Sequence, residues 1–303
     1  MGSTLILLQK ITEMFLLMGM GYLLVRRKLL SDQGTADIGK LLTTVVIPLI
    51  LINNLWVEHT AEKSRILLES TGISLVILAV SVAVSMLLFR RDGVSAFSSA
   101  FSNAGFIGIP LVTGVLGNDA VFYISTMIVL IGALQYTIGL VMITGDKALM
   151  KPEAILRNTV ILSVAVGIGL YLLGIPKPAL VSSLFGTIGS VNTPLAMILL
   201  GGYLAQTSWK QIFGVASNYL VSFVRLLLIP ALCVAVLRYL PIGDADLKLA
   251  LMITAACPAG SLGAIFARQY GKDFEKATGQ VCISTILCLV GIPLITALCG
   301  IML

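Results

Sequence analysis

Apolar runs of about twenty residues recur along the whole of this 303-residue sequence. Each is long enough for an α-helix to cross the hydrocarbon core of a bilayer. Only 11% of the residues are charged, whereas a soluble domain of this size carries about a quarter, so most of the surface must face lipid. A transmembrane β-barrel would show short segments of alternating polarity, and the sequence has none. The fold class expected is therefore an all-α polytopic membrane protein. Ten spans are read, at roughly 4–25, 37–56, 66–89, 94–116, 119–145, 155–173, 179–205, 212–240, 247–270 and 274–301.

The connections between these runs are short and leave no room for a soluble domain. They carry most of the basic residues. Thirteen of the 20 Lys and Arg residues lie after odd-numbered spans, among them Arg26, Arg27, Lys28, Arg90, Arg91 and Lys272. Five lie on the opposite side, and Lys10 and Arg225 fall within spans. The positive-inside rule then places both termini on the non-cytoplasmic side. The formal charge of +6 is thus explained by topology, and no nucleic-acid partner is expected. The five cysteines all fall inside apolar runs and lack zinc-type spacing, so neither a disulfide framework nor a metal site is expected.

Three local echoes point to an internal repeat. "ISTMIVLIG" in span 5 matches "ISTILCLVG" in span 10, and "IPLILINNL" in span 2 matches "TPLAMILLG" in span 7. Spans 4 and 9 end in "GND" and "GKD". Five spans per half give two halves of opposite orientation, 1–145 and 146–303, an arrangement common in secondary transporters. Spans 4 and 9 also carry the helix-breaking residues, in "NAGFIGIP" (103–110) and "CPAGSLG" (257–263). Proline removes a backbone donor and clashes with the preceding turn, while glycine loosens the helix. Freed backbone groups are tolerated in a membrane only where protein or a water-filled cavity satisfies them. Two interrupted helices at matching positions therefore point to a binding site, and their half-helix N-termini favour an anion. The candidate residues are Asn103, Gly105 and Pro110 in span 4, and Cys257, Pro258 and Ser261 in span 9.

Polar residues elsewhere in the spans add to this set. Arg225, near the middle of span 8, has two readings: counter-ion for a carboxylate, or a contact to backbone carbonyls at a helix break. Asn192 and Thr193 precede Pro194 in span 7, and Gln135 lies in span 5. Lys10 and Glu13, three apart on one helix, are expected to pair. Gly19, Gly21, Gly167 and Gly169 are read as helix-packing positions. No carboxylate lies in span 4 or 9, no HExxH motif occurs and no P-loop is present, so neither an enzyme nor a bound cofactor is expected.

At "NAGFIGIP", "VNTPLAMILLGGYLA" and "CPAGSLGAIFARQYGKD" the sequence resembles the auxin efflux carrier family, within the bile-acid and auxin carrier-like superfamily. The resemblance spans nearly the whole chain. It implies a scaffold of spans 1, 2, 6 and 7 and a transport unit of spans 3–5 and 8–10. It also implies crossing of the unwound spans 4 and 9 near the midplane, and elevator-like alternating access. Asn103, Pro110 and Pro258 carry over to the crossing; Arg225 does not. The short "GDKALMKPE" loop implies a bacterial-type permease in the inner membrane. The function expected is secondary transport of small organic anions, mono- or dicarboxylates of malate, malonate or auxin type, with possible coupling to H+ or Na+ and a possible homodimer. The alternatives are a sodium-coupled bile-acid-like carrier and a non-transporting membrane sensor or assembly subunit.

Overall fold

Side-chain caps set where several helices begin. Ser31, Thr60, Asp92 and Asp244 each accept a hydrogen bond from the backbone N–H three residues on, satisfying a donor that the helix itself cannot. The computed structural model describes residues 2–149 and 159–302, and the side chains of all of these except residues 2–8, 10 and 11. Besides the short helix Trp209–Phe213, its helices are α1 (Gly2–Arg26), α2 (Asp32–Leu55), α3 (Ala61–Leu88), α5 (Asn118–Thr144), α6 (Thr159–Leu172), α7 (Ala179–Gln206), α8 (Ala216–Leu237) and α10 (Phe274–Met302). Two more are each in two pieces: α4a (Gly93–Ala100) with α4b (Ala104–Leu116), and α9a (Ala245–Ala255) with α9b (Leu262–Gln269).

These coincide in order with the ten apolar runs, although the expected start of the sixth, at 155, lies outside the described residues. Among the described residues six helices, α2, α3, α5, α7, α8 and α10, are long and apolar enough to cross a membrane. The chain is an integral, multi-pass membrane protein. Among the described residues the sole β pairing is one isolated antiparallel bridge, Ser102 with Ala259.

Proline acts differently from the sequence expectation. Ile-Pro occurs five times, and at three of them, 47–48, 109–110 and 229–230, a five-residue π-turn lies directly before it, at Leu42–Val46, Ala104–Gly108 and Val224–Leu228; Ile175-Pro176 lies in a loop, and Pro293 sits inside α10 without such a turn. The wider turn opens the helix just where the proline ring would meet the carbonyl four residues earlier. The helix therefore continues through Pro110. The interruption in the fourth run lies earlier, at Phe101–Asn103, where Phe101 is extended and Asn103 has φ −83° and ψ 61°. A fourth π-turn, Gln135–Gly139 in α5, precedes no proline.

The helices pack in pairs, with further contacts between the pairs. α1 packs most extensively against α7, and α6 against α2. α3 packs against α5 and α8 against α10, with α9a set among α3, α5 and α10. A polar clasp joins α4a to α10: Lys276 Nζ lies 2.5 Å from Asp92 Oδ2, and Gln280 Nε2 donates to Ser95 Oγ at 2.6 Å. Of the four glycines read as packing positions, Gly21 and Gly167 touch a neighbouring helix, whereas Gly19 and Gly169 face open space. The expected Lys10–Glu13 pair involves a side chain outside the described residues.

Small residues let α1 and α7 approach at backbone distance. A Cβ on Gly201 would fall 1.9 Å from the Met18 carbonyl oxygen, and one on Gly21 would fall 2.3 Å from that of Ile198. Gly201→Leu must therefore push the helices apart. It is expected to lower stability by about 1–3 kcal/mol or more, the usual range for overpacking. Gly19→Ala, with nothing within 4 Å of its new methyl, should leave the thermal unfolding midpoint in detergent unchanged. Equal midpoints for the two variants would contradict this packing.

Candidate functional site at the two helix breaks

Breaking two helices inside a bilayer frees backbone groups that need partners. The structure pairs the two breaks with each other. Asn103 N–H donates to the Pro258 carbonyl at 2.8 Å, and Gly260 N–H donates to the Phe101 carbonyl at 2.9 Å. A third donor, Ala259 N–H, is taken by Ser284 Oγ of α10 at 3.1 Å. Gly260 lies close against Gln135 here: a Cβ would sit 2.9 Å from Gln135 Nε2 and 3.4 Å from the Phe101 carbonyl oxygen. Gln135 thus reaches the break in the second segment from the π-turn of α5.

Four helix ends meet at this junction. The C-terminal ends are those of α4a and α9a, whose last carbonyls have no intrahelical partner. Arg225, at 1% exposure, takes them up: Nη1 donates to the carbonyls of Ser99 at 3.0 Å and Ala100 at 2.9 Å, and Nη2 donates to that of Ala255. These are the bonds of the second reading open from sequence, a contact to backbone carbonyls at a helix break.

The N-terminal ends are those of α4b and α9b, whose first N–H groups point back into the junction and carry positive partial charge. Asn103 stands at the head of α4b, 6% exposed, and its Nδ2 has no hydrogen-bond partner. Two residues on, the Gly105 carbonyl accepts a 3.4 Å bond from Asn192 Nδ2 of α7, and the Asn192 Oδ1 is itself buried and unpaired. Gly105 also lies against α2, since a Cβ there would come 2.9 Å from Ile47 Cδ1. Asn103 and Gly105 therefore lie at the head of α4b, where Gly105 meets Asn192 of α7 and Ile47 of α2. Ser261, also 6% exposed, stands at the head of α9b.

The remaining expected site residues lie further off. Pro110 is seven residues beyond Asn103, about 10 Å along the axis at the usual helical rise. The Cys257 thiol hydrogen-bonds the Ile253 carbonyl at 3.3 Å and lies near Gly108, so it packs between α9a and α4b. Thr193 is half-buried beside Asn192. Sequence reasoning missed Ser102, Ala259, Gly260 and Ser284, which form or brace the bridge. The one available signal was the polar "FSN" at 101–103, overshadowed by the glycines and proline that follow.

Beside the junction, between α1 and α7 on one side and α4b and α10 on the other, lie two small apolar clefts of about 10 Å³ each, room for roughly one water. Met14, Met18, Met197, Leu111 and Cys288 line one of them. No group of three or more His, Cys, Asp or Glu side chains among the described residues could hold a metal ion. The arrangement offers hydrogen-bond donors and helix dipoles for recognising a charged solute.

A multi-pass chain with paired helix breaks and an unpaired buried donor at their meeting point has the form of a membrane transporter. The sequence comparison identifies which kind. Residues 6–296 match the family described as membrane transport protein, so the chain belongs to that family, the auxin efflux carrier family it resembles at the motifs above. It is similar to an uncharacterized transporter of Methanothermobacter thermautotrophicus, at 23% identity over 97% of each chain.

Asn103 Nδ2 is a buried donor with nothing to bind, and such a group costs about 1–3 kcal/mol. Asn103→Leu removes it at similar volume, so the substrate-free protein is expected to melt at the same temperature or higher. A clear fall in the melting temperature would mean that the amide supports the fold.

Proposed function

We propose that the protein is a secondary transporter of small organic anions, and that the carboxylate of its substrate binds at the N-terminal end of α4b. The observation carrying this reading is the unpaired, buried Asn103 amide at that helix end. A carboxylate there would accept from Nδ2 and from the free N–H groups of the first turn, which an anion suits better than a cation or a neutral solute. Asn192 from α7 and Gln135 from α5 flank the position and would contact the rest of the solute.

Transport then requires the site to face each side of the membrane in turn. The pairing of α1 with α7 and α6 with α2, matched by α3 with α5 and α8 with α10, supports two inverted five-helix halves, 1–145 and 146–303. It equally supports α1, α2, α6 and α7 as a scaffold against which α3–α5 and α8–α10 move. The seam between them contains Met14, Met18 and Met197, flexible side chains that repack easily. Clefts of water size along that seam support entry of the substrate by movement of one group past the other. The excess of basic residues in loops after odd-numbered helices supports termini on the non-cytoplasmic side.

The test is a thermal-stability screen of purified protein against mono- and dicarboxylates, auxin-like aromatic acids, bile acids and neutral amino acids, followed by uptake into proteoliposomes. One anion class at a hundredfold excess over its dissociation constant should stabilise the protein by about 2.7 kcal/mol. That stabilisation and the uptake should both vanish in Asn103→Ala. Stabilisation by a neutral solute, or an unchanged response in Asn103→Ala, would overturn the reading; sodium-dependent uptake of a bile acid would support the sodium-coupled alternative instead.

A further inference from the structure

Arg225 is the most deeply buried charge among the described residues, and none of the described acidic side chains forms an ion pair with it. An ionised side chain without a partner is costly in a low-dielectric interior. Its partners here are backbone. Ser99 and Ala100 end α4a and Ala255 ends α9a, and the guanidinium bonds all three carbonyls. Each helix C-terminus carries roughly half a negative charge, so two converging ends present about one full charge. The single positive charge of Arg225 balances it. In transporters with broken helices, such C-terminal ends and unwound carbonyls are where a dissolved cation is held.

We propose that Arg225 is a built-in cation. It clamps the C-terminal ends of α4a and α9a together in the place where a dissolved cation would otherwise bind, and so fixes the two N-terminal ends in position. Its hydrogen bonds reach both half-helices from a third helix, α8, where it lies inside the π-turn Val224–Leu228. That turn widens the helix at Arg225 itself, and from there the side chain reaches the junction. The guanidinium fork suits this role because it donates in two directions at once, which a lysine ammonium does less well. Arg225 is thus a positioning residue, and the proposal does not rest on the anion reading.

The test uses Arg225→Ala, which vacates the space, with Arg225→Lys as a second variant. The readout is the thermal midpoint of the substrate-free protein in added guanidinium ion and in urea, each at millimolar concentration. Urea has the same planar shape without the charge. Arg225→Ala should unfold at a lower temperature than wild type, recover much of the loss with guanidinium and recover nothing with urea. Arg225→Lys should fall between wild type and Arg225→Ala, without benefit from guanidinium. Equal rescue by urea, no rescue by either solute, or a wild-type midpoint in Arg225→Ala would each overturn the proposal. Should Arg225→Ala not accumulate, Arg225→Gln decides: its yield should fall below that of Arg225→Lys, and equal yields would mean that charge is immaterial.

Discussion

Two hydrogen bonds, from Asn103 N–H to the Pro258 carbonyl and from Gly260 N–H to the Phe101 carbonyl, make the interrupted helices possible. A backbone leaving its helix in a hydrocarbon environment loses partners that water cannot replace. By pairing the breaks with each other, the fold satisfies part of both and fixes α4b against α9a. The rest of the junction follows from that pairing. Gln135 packs against it at Gly260, and Ser284 takes the donor left over.

Polarity then divides the junction. Its two C-terminal ends are neutralised from within by Arg225, whereas its two N-terminal ends are headed by Asn103 and Ser261, with the Asn103 amide unpaired. A protein that meets one charge with its own side chain and leaves the opposite pole open is organised to accept a ligand of one sign. Under the reading proposed above, that ligand is an anion. The unpaired amide is then a stability cost retained for binding, as is common at functional positions.

Much of this was legible in the sequence because lipid imposes simple rules. The all-helical class and the order of the helices along the chain followed from the length of the apolar runs, and the two broken runs were visible from their Gly, Pro and Asn content. The break in the fourth run was read across the whole stretch Asn103–Pro110. In the structure it lies at the head of that stretch, at Phe101–Asn103, while a π-turn at Ala104–Gly108 absorbs Pro110. Three of the five Ile-Pro dipeptides follow such turns, a local feature that the apolar reading passed over. Two of those turns, together with the one in α5, hold Gly105, Arg225 and Gln135. For Arg225 the sequence left two readings open and could not choose between them, since its partner carbonyls are brought close only by tertiary packing. Backbone groups leave no trace in composition.

The most direct measurement is an experimental structure of the protein bound to the anion that stabilises it best. A bromine-bearing analogue of that anion would make its orientation unambiguous. The account predicts the carboxylate at the head of α4b, within hydrogen-bond distance of Asn103 Nδ2 and the first free N–H groups, with Arg225 still bonded to its three carbonyls. A carboxylate seated on the Arg225 guanidinium, or one bound away from both breaks, would contradict it.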